Sequence, residues 1–359
     1  MNPLAVLTSA LVVVLSAAGC SVRFSETEGS PTTPRPVVST APVTNAPAAE
    51  PGSAGQPDVP PAGRVVPLGN APEGLVVGSS GMGAAAVRNP DAVVLFDATT
   101  GAVRQTVKTS GAARHLALAG PDGPVLAPLE QSNELLQLNL ANGSVTSIAN
   151  RVGRGPHDAA ATTDGTIVIT NEQGGGVVFV RDGAVASALP APPPQPGGVA
   201  AVGKYAAVAD VQGNGVWVYD ASTRQLVAQR PVGVKLTHAV ALWDDLVAFA
   251  DTDGGAVLIE RIDPEITPVA RIDAPDKPYG MAYDSQRHRL YVTLTASNVL
   301  RDIDVSDPTK PRTLGGVPTV QQPNSAAVDP RSGAVLVTGS DPGGASSLQI
   351  ITPDLLPPE

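Results

Sequence analysis

The chain has 359 residues, 42% of them hydrophobic and only 16% charged, with 37 glycines and 36 prolines, a composition rich in turns and poor in the charged surface of a helical protein. A net charge of -10 repels a phosphate backbone and argues against nucleic acid as a partner. Aromatic residues make up 3%, too few for the stacking platforms on which extended glycans or single strands are bound.

At the amino end, Leu4 to Gly19 is an uncharged apolar run. It is shorter than the roughly 20 residues a spanning helix needs and suits the core of a signal peptide. The run closes in "LSAAGC", whose Cys20 is the chain's one cysteine, so no internal disulfide can form. This stretch resembles the bacterial lipoprotein signal, in which small residues precede a cysteine that is lipidated and becomes the new amino terminus. The resemblance implies a signal peptide over 1–19, palmitate-type chains on Cys20, and a protein held in the bilayer on the extracytoplasmic side of the cell membrane. An ordinary secretory signal, or a buried cysteine, is the alternative. Each buried methylene of an acyl chain contributes about 0.8 kcal/mol, so several chains on one cysteine anchor stably.

Residues 20–63 follow as a run of proline, alanine, serine and threonine with no hydrophobic period. Too little apolar surface is on offer to offset the entropy of ordering, so the segment is expected to be a disordered tether.

From Arg64 the chain repeats itself. "AVVLFDATTGAVRQTV", "ELLQLNLANGSVTSIA", "GVWVYDASTRQLVAQ" and "NVLRDIDVSDPTKPRTL" each carry an apolar strand, a polar turn near Asp97, Asn139, Asp220 or Asp304, and a second strand. Upstream of each lies another pair, such as "HDAAAT" and "TIVIT" around the turn "TDG". Four strands in a unit of 40–45 residues mark a β-propeller blade. The residues that open the first strand of each unit are Glu73, His115, His157, Gly197, His238, Tyr279 and Asn324, which gives seven units. The seventh has three strands before the chain ends in "TPDLLPPE". The lone strand "RVVPL" at Arg64 to Leu68 is expected to complete it and close the ring, leaving no open edge. The expectation is one all-β, seven-bladed propeller over 64–359.

Within the sixth unit, "KPYGMAYDSQRHRLYVTLTASNVLRDIDVSDP" resembles the YVTN-type propeller repeat: Pro278, Gly280, Ala282, Asp284, Leu290 to Thr293 and Asp304 match, and Leu294 replaces the asparagine. "IVITN" at Ile167 to Asn171 echoes the same element. The resemblance implies the propeller fold. Its members include lactonase-like enzymes, surface-layer proteins and proteins of other roles, so it does not select an activity.

In a propeller the first strands line the central channel, so the seven opening residues should form a ring at its rim. Three of the four histidines fall on it, and Glu73, Tyr279 and Asn324 add polar groups; Gly197 breaks the pattern. Loops between second and third strands should emerge on the same face, carrying Glu130, Glu172, Asp210, Asp251, Asp253 and Asp341. Imidazoles with carboxylates suit zinc, copper, nickel or iron, and carboxylates alone suit calcium. The rim residues Glu73, His115, His157, His238, Tyr279 and Asn324 are therefore the expected binding site, and His115, His157 and Glu73 the expected ligands of a divalent metal. His238, two blades beyond His157, would have to reach across the channel. His288 is expected in an exposed turn.

Arg114, Arg151 and Arg154, near the ring, offer either an anion subsite or a simple offset to the acidic loops. Three readings of this face stay open: a binding scaffold for an envelope protein or small ligand, a metal-assisted hydrolase of lactonase-like type, and a merely solvated channel mouth. No G-x-S-x-G elbow, phosphate loop or H-E-x-x-H helix is present to specify catalysis.

Overall fold

The computed structural model describes residues 50–340 and 346–358. Cys20, the segment before it, the tether up to residue 49, and Asp341 lie outside them. The described chain forms seven four-stranded antiparallel sheets, each of consecutive strands except the last. They are blade 1 (residues 73–108), blade 2 (117–150), blade 3 (156–189), blade 4 (196–231), blade 5 (236–273), blade 6 (278–318) and blade 7 (323–351). Arg64–Pro67 is the outer strand of blade 7, with Val65 opposite Gln349 and Val66 opposite Leu348. The ring thus closes by pairing chain segments from its two ends, as the missing fourth strand requires.

The alternation within each strand explains the stacking of the blades. In Met82–Val87 the side chains of Ala84 and Ala86 pack with blade 2, and those of Ala85 and Val87 pack with blade 7, the period of two inherent to a strand. A hydrophobic cluster of this kind fills each of the seven junctions between neighbouring blades. Middle strands, covered on both faces, are therefore mostly apolar, as in Ala92–Asp97, whereas the outer strand Val103–Lys108 is almost wholly exposed. In blades 1, 2, 4 and 6 an acid or amide at the end of the third strand folds the outer hairpin: Asp97, Asn139, Asp220 and Asp304 accept the backbone N–H of Thr100, Ala141, Ser222 and Ser306 at 2.9–3.0 Å.

Adjacent first strands crowd one another at the axis. A Cβ on Gly74, whose φ is +74°, would stand 2.8 Å from the Arg114 carbonyl oxygen of blade 2, so only glycine fits there. Residues 50–63 differ from the expected free tether: they have no regular secondary structure beyond turns, but they are hydrogen-bonded along blades 6 and 7.

Candidate functional site

Six of the seven first strands carry a β-bulge at the rim, between Glu73 and Leu75, Pro156 and Ala159, Pro196 and Val199, Leu236 and His238, Pro278 and Met281, and Pro323 and Ser325. A bulge leaves one residue out of the ladder and re-aims its side chain. In blade 2 the first strand is only Ala117–Leu118, so His115 precedes it in an irregular segment. Both devices free the opening residue to turn toward the axis.

Four rings from four blades consequently stack. His115 lies 4.5 Å from His157 and 4.4 Å from His238 between ring centroids, and His238 lies 4.1 Å from Tyr279, edge to face. His238 does reach across. Gly197 contributes no side chain because a Cβ there would meet the Thr237 carbonyl oxygen at 2.9 Å. His157 is 2% exposed, and its Nδ1 lies 3.2 Å from Glu130 Oε1 and 3.3 Å from Glu172 Oε2. These acids are presented by the loops after the second strands of blades 2 and 3, each pinned by its backbone: Glu130 N–H donates to Ala112 O and Glu172 N–H to Gly155 O.

The electrostatics split the three imidazoles. Burial pulls His157 down, but the Glu172 charge and the hydrogen bonds of Glu130 and Glu172 outweigh it and hold the ring up at about 10, a protonated cation at neutral pH. Burial, with the neighbouring His238 and His157 imidazoles, keeps His115 well below its ordinary value. Burial, with the charges of His157 and Arg114, pushes His238 down to about 3. Two neutral rings therefore lie beside one charged ring. Among the described residues, buried His115 Nε2 and His238 Nδ1 have no hydrogen-bond partner. Both histidines line a channel cavity of about 390 Å³ whose other walls include Asp158, Ala160, Val199 and Met281. Burial raises Asp158 to about 6, opposed by the Val199 N–H it accepts across the blade junction.

The other expected rim residues are used differently. Glu73 accepts hydrogen bonds from Arg88 at 2.8 Å and from Arg114 at 3.0 and 3.2 Å, so its oxygens face guanidinium groups. Asn324 stitches blades: its Nδ2 donates to Pro72 O and its Oδ1 accepts from Thr338 Oγ1, both at 3.0 Å. Asp251 accepts from the N–H groups of Val234, Lys235 and Gly254, and Asp210 from that of Gln195, which holds turns in place. Asp253 pairs with Lys277. His288 is exposed, beside Tyr283 Oη at 2.8 Å and edge to face with Trp243.

Among the described residues, the group whose donor atoms could hold a metal ion is Glu130, His157 and Glu172, with one atom from each within 4.8 Å of the others; Glu73, expected beside His115 and His157, has its oxygens on Arg88 and Arg114. One nitrogen and two carboxylate oxygens fit a divalent transition ion. Both acids were visible as loop residues in the sequence; their convergence on one imidazole was not. Glu50, which meets Arg114, carried no sequence signal at all.

No family model matches the chain, and no curated protein matches it. Solved structures resemble it in fold. A chain of the mitotic checkpoint complex superposes with a TM-score of 0.68 at 13% identity, covering 88% of this chain and 99% of that one. Streptogramin B lyase gives 0.62 at 15%, covering 81% and 97%, and virginiamycin B lyase from Staphylococcus aureus gives 0.64 at 12%, covering 80% and 98%. At such identities the likeness shows the fold, a seven-bladed propeller, and leaves the chemistry to the site.

Proposed function

We propose that this chain is an envelope lipoprotein, anchored through Cys20, whose propeller is a binding scaffold that takes its ligand or partner at the channel mouth. The observation that carries the reading is the stack of His115, His157, His238 and Tyr279. None of the four belongs to the clusters that hold the blades together, and a buried imidazole enclosed by two acids is not needed to close the ring. Perturbed titrating groups gathered in a cavity are the usual mark of a functional site. The YVTN-type repeat of blade 6 and the "LSAAGC" segment support the family and the anchoring. A propeller within the mitotic checkpoint complex supports association as a use of the fold.

The test is thermal stabilisation of the full-length protein, in detergent, by a detergent extract of the native envelope, since a ligand bound by the folded state raises its melting temperature. Stabilisation should be lost in His115→Ala plus His157→Ala and kept in His288→Ala. Equal stabilisation of all three proteins would refute the reading.

A second reading rests on the Glu130, His157 and Glu172 constellation: a metal-assisted hydrolase of lactonase-like type. A divalent ion held there would polarise an ester carbonyl or acidify a bound water, and the second carboxylate would be placed to move a proton. Metal analysis of tag-free protein, with a lactone hydrolysis assay on wild type and Glu172→Gln, tests it. Metal-free wild type with no hydrolysis after reloading with zinc or manganese excludes it.

A further inference from the structure

Arg114 is the best-buried arginine at the channel mouth, and its guanidinium has two edges. The inner edge, Nε and Nη2, donates to Glu73 Oε1. The outer edge makes a bidentate pair with Glu50, Nη1 to Oε1 at 2.7 Å and Nη2 to Oε2 at 2.9 Å, the fork geometry by which arginine recognises a carboxylate. The partners differ in accessibility. The Arg114 side chain is 5% exposed, whereas Glu50 is 63% exposed. The acid can therefore leave for water, and the guanidinium cannot.

Glu50 opens the segment 50–63, which runs from Arg114 along blades 6 and 7 as a strap. Gly52 N–H donates to Thr295 Oγ1, Asn298 Nδ2 to Gly55 O, and Gln321 Nε2 to Ala54 O, at 2.8–2.9 Å. No residue of the strap is buried, and a cavity of about 500 Å³ lies between Gln56 to Pro61 and blade 7. A segment held by hydrogen bonds and one ion pair, with only Ala62 at its far end packed against a hydrophobic cluster, belongs to the least stable part of a fold. Arg114 directly precedes His115 of the ring stack in the chain, which keeps the guanidinium close to those rings.

We propose that the outer edge of Arg114 is a carboxylate subsite, that Glu50 fills it as an intramolecular stand-in, and that the mouth's ligand is a small organic acid that displaces Glu50 and releases the strap. This rests on the binding reading of the mouth. Exchanging one carboxylate for another leaves the local charge unchanged. A phosphate dianion would add negative charge beside Glu73, which shares the guanidinium, and this selects carboxylate over phosphate. Glu50 fills the outer edge with one carboxylate on an unbranched stem, a shape a small acid reproduces.

The experiment uses full-length protein in detergent, with benzoate and hexanoate as probes and inorganic phosphate as the control. Calorimetry measures affinity, and hydrogen exchange follows the 50–56 peptide. Glu50→Ala removes the competitor and should tighten benzoate or hexanoate about tenfold or more, a coupling in the normal range for linked sites. Saturating carboxylate should speed exchange of 50–56 in wild type, and Arg114→Gln should abolish binding. Because Arg114→Gln removes a buried group and can unfold the protein, the Glu50→Ala affinity and the wild-type exchange decide the matter alone. No carboxylate binding, unchanged affinity in Glu50→Ala, or phosphate binding as tightly as carboxylate overturns the subsite. If the envelope extract still stabilises wild type but not the double histidine variant, the binding reading survives that failure. Glutamate-rich peptide binding in place of both small acids would likewise overturn the small-acid assignment.

Discussion

His157 Nδ1 lies 3.2 Å from Glu130 Oε1, so a loop of blade 2 supplies a counter-charge to the first strand of blade 3. With Glu172 at 3.3 Å on the same nitrogen, the imidazole keeps its proton up to about 10, above its ordinary 6.5.

A group whose pKa is raised by folding stabilises the fold fully below its unfolded value, and that contribution is lost as pH rises through the folded value. Chelator-treated protein should therefore lose melting temperature progressively between pH 6.5 and about 10. Glu172→Gln, which removes one of the two charges, should flatten that slope relative to wild type. Parallel curves for the two proteins would show that the Glu172 charge does not hold the proton.

The ring seam should behave as a core. Leu348 is 0% exposed, in the cluster between blades 7 and 1, so Leu348→Ala should cost about 2–5 kcal/mol in chemical denaturation. Val103→Ala, on an outer strand at 47% exposure, should cost less than about 0.5 kcal/mol. Similar small losses at both sites would mean that the seam is not packed.

Asn324 separates a stitch from a ligand group. Asn324→Ala orphans Pro72 O and removes the acceptor of Thr338 Oγ1, at a cost of about 1–3 kcal/mol. The envelope extract should still raise the variant's melting temperature as it does that of wild type. A variant of full stability that no longer responds to the extract would place Asn324 in the site.

Cys20→Ser should move the protein from the membrane to the soluble fraction of fractionated cells and abolish incorporation of an alkyne-labelled fatty acid. A variant that remains membrane-bound, or a wild type that takes up no label, would contradict anchoring at Cys20.

Most of the architecture was readable because a propeller writes one message seven times. The alternation of Ala84 to Val87 between two junctions, and a seventh unit one strand short, suffice to count the blades and close the ring. The placement of His115, His157, His238 and Tyr279 was readable for the same reason: rim positions share a register. What escaped lies outside the register. The link between Glu73 and Arg114 joins side chains 41 residues apart on neighbouring blades, and nothing periodic announces that a rim acid will face arginines. Asn324 reads as a rim residue until its two hydrogen bonds are seen. Glu130 and Glu172 are two acids among several loop acids until the bulge at Pro156 to Ala159 aims His157 between them. The strap was read as free because its docking uses backbone hydrogen bonds, which leave no hydrophobic pattern.

The chain has four histidines, three in the stack and one, His288, exposed in a turn away from the three-ring cluster, so the claim that the mouth binds can be read from ring nitrogens directly. Long-range nitrogen-15 spectra of histidine-labelled, full-length protein should be recorded before and after adding the native envelope extract. The account predicts changes at His115, His157 and His238 with His288 unmoved. Spectra in which the three stacked histidines stay fixed, or in which His288 alone responds, would contradict it.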